Sequence, residues 1–248
     1  MANPYETEKL VAEYLFFHYA DEDEVSGGHP VPREALNFPV RVVTELADLE
    51  RAPRTALDLG CAVGRSTFEL ARIARSVLGI DFSSAFIRSA EVLKREGRLD
   101  CHVSVEGECT EAFTARVPDG IDVSRVSFEA GDATALRADL GSFDLVLAAN
   151  LLCRLPEPAK FLRRLPGLVA SGGQLLLTTP FSWLPDYTAP EHWIGGRAST
   201  GPSWEELCNA LEPHFELQLS KDMPFLIREH SRKFQYGVPL GSRWIRRP

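Results

Sequence analysis

Five short apolar runs, TALDLG from Thr55, SVLGID from Ser76, VSFEAGD from Val126, FDLVLAAN from Phe143 and GGQLLLTT from Gly172, are separated by stretches of helical periodicity. Each is shorter than a helix that must bury a face. Each is also apolar enough for a strand covered on both sides. Strands alternating with helices need crossover connections, which predicts an α/β fold with a doubly wound, Rossmann-like, mostly parallel sheet. The intervening helices are expected over Arg65 to Ala74, Ser83 to Glu96, where serines stand at the capping position, and Pro158 to Val169.

Around this core the pattern changes. Val11, Tyr14, Leu15 and Phe16 lie at helical spacing between Tyr5 and Tyr19, ahead of the acidic run Asp21 to Glu24. SGGHPVP breaks that helix, and Val40, Val43, Leu46 and Leu49 restart an amphipathic pattern that stops at Pro53. Residues 1–53 therefore read as a helical cap contributing to a site, and 54–248 as a core carrying insertions near 98–124 and 181–202, in one structural domain. The second insertion holds Trp183, Tyr187, His192 and Trp193. After a helix near Trp204 to Leu211, HFELQLSKDMPFLIREH and FQYGVPLGSRWIRR read as a closing antiparallel strand pair.

A chain of 248 residues with net charge -8 and an isoelectric point near 5.3 argues against nucleic acid as the main partner. Cys61, Cys101, Cys109, Cys153 and Cys208 are odd in number and form no CxxC pair, so neither a disulfide framework nor a structural zinc site is expected. No leader pattern and no membrane-length apolar segment is seen, and the expectation is a cytoplasmic protein without membrane contact.

The first strand runs into LDLGCAVGRS, Leu57 to Ser66. A triphosphate loop would need Lys-Ser or Lys-Thr after Gly64, and a dinucleotide loop would need G-x-G-x-x-G, whereas this turn is D-x-G-x-A-x-G, with Ala62 where a methyltransferase loop usually has its middle glycine. S-adenosylmethionine remains, its amino-acid arm passing close to a glycine backbone while Asp58 meets the ammonium. A tight strand-to-helix turn without a ligand is the alternative at this point. Asp81 ends the second strand about twenty residues on, where a carboxylate can accept both hydroxyls of a ribose. Asp132 follows the third strand, suited to an adenine amino group with the Ala133 amide beside it. Asn150 closes the fourth, where methyl and acceptor should meet. Singly each reads equally well as a turn or cap residue; in this order within one frame they read as a cofactor site. The full cofactor set is Asp58, Gly60, Cys61, Ala62, Gly64, Asp81, Phe82, Asp132, Ala133, Asn150 and Leu151.

From Thr55 to Thr179 these residues resemble the class I S-adenosylmethionine-dependent methyltransferases. YETEKLVAEYLFFHY, PREALNFPVR, LDLGCAVGRSTFELAR, GIDFSSAFI, LAANLLCRLP and KDMPFLIREHSRKFQY resemble, more narrowly, the methyltransferases that complete ovothiol. That resemblance implies methylation of a ring nitrogen (π) of 5-thiohistidine, also called 4-mercaptohistidine, to give ovothiol A. It also implies a stand-alone enzyme, with the iron-dependent sulfoxide synthase supplied as another chain. Methyl transfer is an in-line displacement that rests on alignment and requires no metal. His18, Tyr19 and Asn150 are the candidate catalytic residues. His18, Tyr19, Arg33, Asn150, Arg154, Trp183, Trp193, Arg228 and Glu229 are candidates for holding the amino-acid substrate, with Arg228 and Glu229 matched to a zwitterion and the two tryptophans as walls. The alternatives are a class I methyltransferase with a different small acceptor, or an inactive module that binds the cofactor and should show damage at Asp81, Asp132 or Asn150. None of the three is damaged.

Overall fold

A computed structural model describes residues 4–248. The expected cap over 1–53 thus begins outside the described residues. It contributes helices α1 (Glu8–Tyr19), α2 (Glu22–Ser26) and α3 (Phe38–Thr44). Thr7 caps α1 by accepting from the Leu10 amide, and Asp21 and Glu24 cap α2 reciprocally, so the turn between the two helices is set locally.

The core follows in the expected alternation: β1 (Thr55–Leu59), α4 (Arg65–Leu70), β2 (Ser76–Asp81), α5 (Ser84–Glu96), β3 (Arg98–Glu106), β4 (Cys109–Arg116), β5 (Val126–Ala130), β6 (Phe143–Ala149), α6 (Pro158–Leu168), β7 (Val169–Thr179), α7 (Ser203–Leu211), β8 (Phe215–Asp222), β9 (Phe225–His230), β10 (Lys233–Gly237) and β11 (Leu240–Arg246). The seven-stranded sheet has the order β5-β2-β1-β6-β7-β11-β8. Its first five strands are parallel, and β11 runs antiparallel to both β7 and β8.

Strand periodicity divides the interior. Ala56, Leu145, Leu147 and Leu176 point to a core shared with α1, α3, α4 and α5, whereas their neighbours Leu57, Val146, Ala148 and Leu175 join α6, α7 and Trp244 on the other face. Covering helices on both sides explain why these strands read as continuous apolar runs. Among the described residues no helix is long and apolar enough to cross a membrane.

Two regions depart from the sequence reading. The 98–124 insertion contains a hairpin, β3 paired antiparallel with β4, packed on α1 through Val103, Phe113 and Ala115. The closing antiparallel pair is present as β8 and β11, and two further strands lie between them. Met223-Pro224 interrupts the first run because proline has no amide to extend a ladder, and β9 and β10 pair as a separate hairpin before the chain returns to the sheet as β11.

Candidate active site

The cofactor candidates lie at the carboxyl ends of the parallel strands, where a doubly wound fold places its ligands. Gly60 (φ 73), Ala62 (φ 48) and Gly64 (φ 90) all adopt left-handed backbone. A Cβ on Gly64 would approach Phe128 Cζ to 2.7 Å, so this position needs glycine on two counts. Ala62 bears the left-handed geometry with a side chain, and its amide donates to Asp81 Oδ2 at 2.9 Å. The other Asp81 oxygen accepts from the Ser83 amide at 2.8 Å. Burial holds this carboxyl above its usual range, with the two amides acting against the shift. Both oxygens keep lone pairs that ribose hydroxyls can use.

Asp58 is 1 % exposed and accepts from Thr67 Oγ1 at 2.7 Å. Burial pushes its pKa up to about 7, against the Thr67 hydrogen bond. A buried carboxyl of this kind suits an ammonium, which would restore its charged form. Asp132 accepts from the Thr134 amide and hydroxyl, both at 2.7 Å. Phe82, beside Asp81, is exposed to 66 % and offers a face to a flat ring, whereas Cys61, Ala133 and Leu151 pack around the turn, Leu151 against Gly60. The donor and acceptor set therefore fits S-adenosylmethionine: Asp58 for the ammonium, Asp81 for the ribose, Asp132 for the adenine amino group.

Asn150 is left-handed (φ 52) beyond the end of β6, and Thr178 of β7 fixes it. The Thr178 hydroxyl accepts from the Asn150 amide at 3.0 Å and donates to Asn150 Oδ1 at 2.9 Å. One hydroxyl has one proton, so the Asn150 carboxamide presents its NH2 outward. This Thr178 clamp could not be read in the sequence, because it depends on the register that sets Ala149 beside Thr178.

Tyr14 and His18 lie four apart on α1 with rings 5.9 Å apart. Tyr19 donates to the Val63 carbonyl at 2.8 Å, which seats the end of α1 on the glycine turn. His18 Nδ1 is buried without a hydrogen-bond partner. Desolvation, then the nearby Arg65 guanidinium, drive the His18 pKa down to about 3, so the ring is neutral at physiological pH.

At the other side of the site, Arg154 lies 4.9 Å over the Tyr187 ring and donates to the carbonyls of Cys153 and Ser182, both at 3.2 Å. Trp183 and Trp193 stack at 6.4 Å, their indole N–H groups bonded to Ser203 Oγ and the Thr188 carbonyl. Thr188, buried, donates to the Leu155 carbonyl at 2.6 Å and ties this loop to the segment after Asn150.

Three substrate candidates are not brought to this site. Arg33 is a surface residue, its side chain 80 % exposed and paired with Glu22. Arg228 donates to the Glu24 carbonyl and to Glu111 and lies over Phe16, on the face of α1 turned away from Tyr14 and His18. Glu229 pairs with Lys233 at 2.6 Å. Arg228 and Glu229 line a small crevice with Lys9, Glu13, Phe16, Val103 and Ser104 that includes no residue of the glycine turn. The pairing of opposite charges that suggested a zwitterion site is instead used twice in ion pairs internal to the protein. Among the described residues no group of three His, Cys, Asp or Glu could hold a metal ion.

The doubly wound sheet and the ordered acids at its carboxyl edge are similar to those of class I, S-adenosylmethionine-dependent methyltransferase domains. Residues 57–177 match the family Methyltransf_11, described as a methyltransferase domain. Among curated relatives, ajmaline N-methyltransferase of Rauvolfia serpentina is 27% identical over 180 residues, 68% of this chain and 52% of that protein. A ubiquinone biosynthesis O-methyltransferase of Xanthomonas euvesicatoria pv. vesicatoria is 28% identical over 152 residues, 61% of this chain and 53% of its own. The chain thus spans about half the length of these relatives. Among solved structures, the N-methyltransferase NodS from Bradyrhizobium japonicum WM9 in complex with S-adenosyl-l-homocysteine superposes with a TM-score of 0.52 at 18% identity, covering 96% of this chain and 98% of NodS. The relatives include both nitrogen and oxygen methylators, so the acceptor must be argued from this chain's own residues.

Proposed function

We propose that this chain methylates the π ring nitrogen of 5-thiohistidine, giving ovothiol A. When bound, S-adenosylmethionine supplies an electrophilic methyl on a sulfonium. The observation that supports an azole acceptor is His18, a neutral imidazole beside the glycine turn whose buried Nδ1 lacks a partner. An unpaired buried polar atom is costly, and the ring N–H or lone pair of an azole acceptor is of the right kind to satisfy it. The outward NH2 of Asn150 donates a second hydrogen bond and restricts rotation of the acceptor. Such restraint matters because a thiolate is the better nucleophile toward a sulfonium. Directing methyl to nitrogen a thousandfold over sulfur requires about 4 kcal/mol of barrier difference, within the range that alignment supplies. Reaction needs no strong base on this reading, in keeping with a His18 that stays neutral. The separate iron-dependent sulfoxide synthase belongs to the same proposal as the source of the thiohistidine.

Incubating the purified protein with S-adenosylmethionine and 5-thiohistidine, then tracing the new methyl by long-range carbon–proton NMR correlations, tests this directly. Correlations from the methyl to the ring carbons flanking the π nitrogen are expected. Methylation on sulfur alone, or no transfer while the cofactor binds, overturns the proposal.

A further inference from the structure

The side chains around Arg154 form a group outside the acids assigned to the cofactor. Its guanidinium lies over Tyr187 at 4.9 Å. The Tyr187 ring is 6.5 Å from that of Tyr5, and the Tyr5 ring is 5.9 Å from that of Tyr14. The Tyr5 hydroxyl is hydrogen-bonded with those of Tyr187 and Tyr14. One cation and three phenols thus converge from three separate elements: the cap (Tyr5, Tyr14), the turn after Asn150 (Arg154), and the loop after β7 (Tyr187). Among the described residues no carboxylate forms an ion pair with Arg154. A half-buried guanidinium surrounded only by neutral donors and carbonyls is a site for an anion.

We infer that Arg154, with Tyr187, Tyr14 and Tyr5, anchors the carboxylate of an amino-acid acceptor. The placement suits that role. Arg154 is four residues beyond Asn150, and Tyr14 shares its helix face with His18 and feels the Asp81 carboxylate. Burial raises the pKa of Tyr5 and of Tyr14, the latter to about 12, so both hydroxyls are protonated at physiological pH. A carboxylate held there replaces Arg228 as the anchoring point and leaves the imidazole end toward His18 and Asn150. It also draws the cap and the β7 loop together, because each contributes donors to one ligand.

This inference rests on the proposed acceptor, and the test separates the two. Rates with 5-thiohistidine and with its decarboxylated counterpart, 5-thiohistamine, are compared in the parent and in Arg154→Gln, Arg154→Lys and Tyr187→Phe, with S-adenosylhomocysteine affinity and Tm as controls. The parent is expected to prefer the amino acid by roughly 10- to 100-fold in kcat/KM, the range of hydrogen bonds to a charged group. In Arg154→Gln that preference should collapse to within about threefold, with Arg154→Lys intermediate, Tyr187→Phe partial and cofactor affinity unchanged. If Arg154→Gln slows both compounds equally, Arg154 is structural and the anchor is overturned while the acceptor assignment stands. If the parent transfers methyl to neither compound, the acceptor assignment fails and the anchor with it.

Discussion

Asp58 is the residue whose ionisation should be visible in cofactor binding. Its pKa in the folded protein, raised by burial to about 7 from 3.8, means that the native state binds a proton between those values that the unfolded state has lost. Its contribution to stability is therefore present below pH 4 and is lost as pH rises through 7. A cofactor ammonium favours the ionised carboxyl, so affinity should run the other way, tightening as pH rises through 7 and weakening by about tenfold per unit well below it. Calorimetry between pH 5.5 and 7.5, in buffers of different ionisation enthalpy, should also detect the released proton. Asp58→Asn should bind more weakly with a flat profile; a flat profile in the parent would remove Asp58 from the ammonium site. Ala62 poses a different question at the same turn. Its left-handed backbone (φ 48) costs an alanine about 1 kcal/mol that glycine does not incur. Ala62→Gly is thus expected to raise the unfolding free energy from chemical denaturation by up to that amount while the cofactor still binds.

Among the elements, α1 and the β9–β10 hairpin divide the work differently from what their sequences suggest. IREH places Arg228 and Glu229 side by side, but neighbours along a strand face opposite ways, and each finds its own partner. Arg228→Ala should therefore act on stability, losing bonds to the Glu24 carbonyl and Glu111 and the contact with Phe16, about 1–3 kcal/mol in chemical denaturation. Acceptor KM should not change. A rise in KM without a loss of stability would return Arg228 to the active site. The contrast shows what a sequence can carry. Strand ends were legible because Asp58, Asp81, Asp132 and Asn150 each follow an apolar run, and the topology of such a sheet fixes where those ends go. Tyr14 was read only as part of the apolar stripe of the first helix, and its place beside His18 came from the structure. Ion pairs such as Arg228 with Glu111, or the clamp of Thr178 on Asn150, join residues far apart in the chain through hairpin packing and strand register, which no local pattern encodes.

For the whole molecule, the shared core of cap and sheet predicts one cooperative body. Leu15, Phe16, Phe38, Val42, Val43 and Leu46 of the cap share a continuous buried cluster with Ala56, Phe68, Leu145 and Leu176 of the core. Fully burying side chains of this size stabilises by about 1.5–3 kcal/mol each, so removing the cap would expose more apolar surface than a typical net stability of about 5–15 kcal/mol can absorb. Unfolding should accordingly be a single transition, with near-ultraviolet circular dichroism, which reports aromatic packing in both parts, coinciding with the far-ultraviolet signal. S-adenosylhomocysteine should shift that one transition as a unit. At a hundredfold excess over its Kd it adds ~2.7 kcal/mol, which for a chain of this size raises Tm by roughly 5–10 °C. Two transitions, of which only the later responds to the ligand, would mean that the cap melts independently and that His18 and Tyr19 are not held against the glycine turn when the cofactor binds.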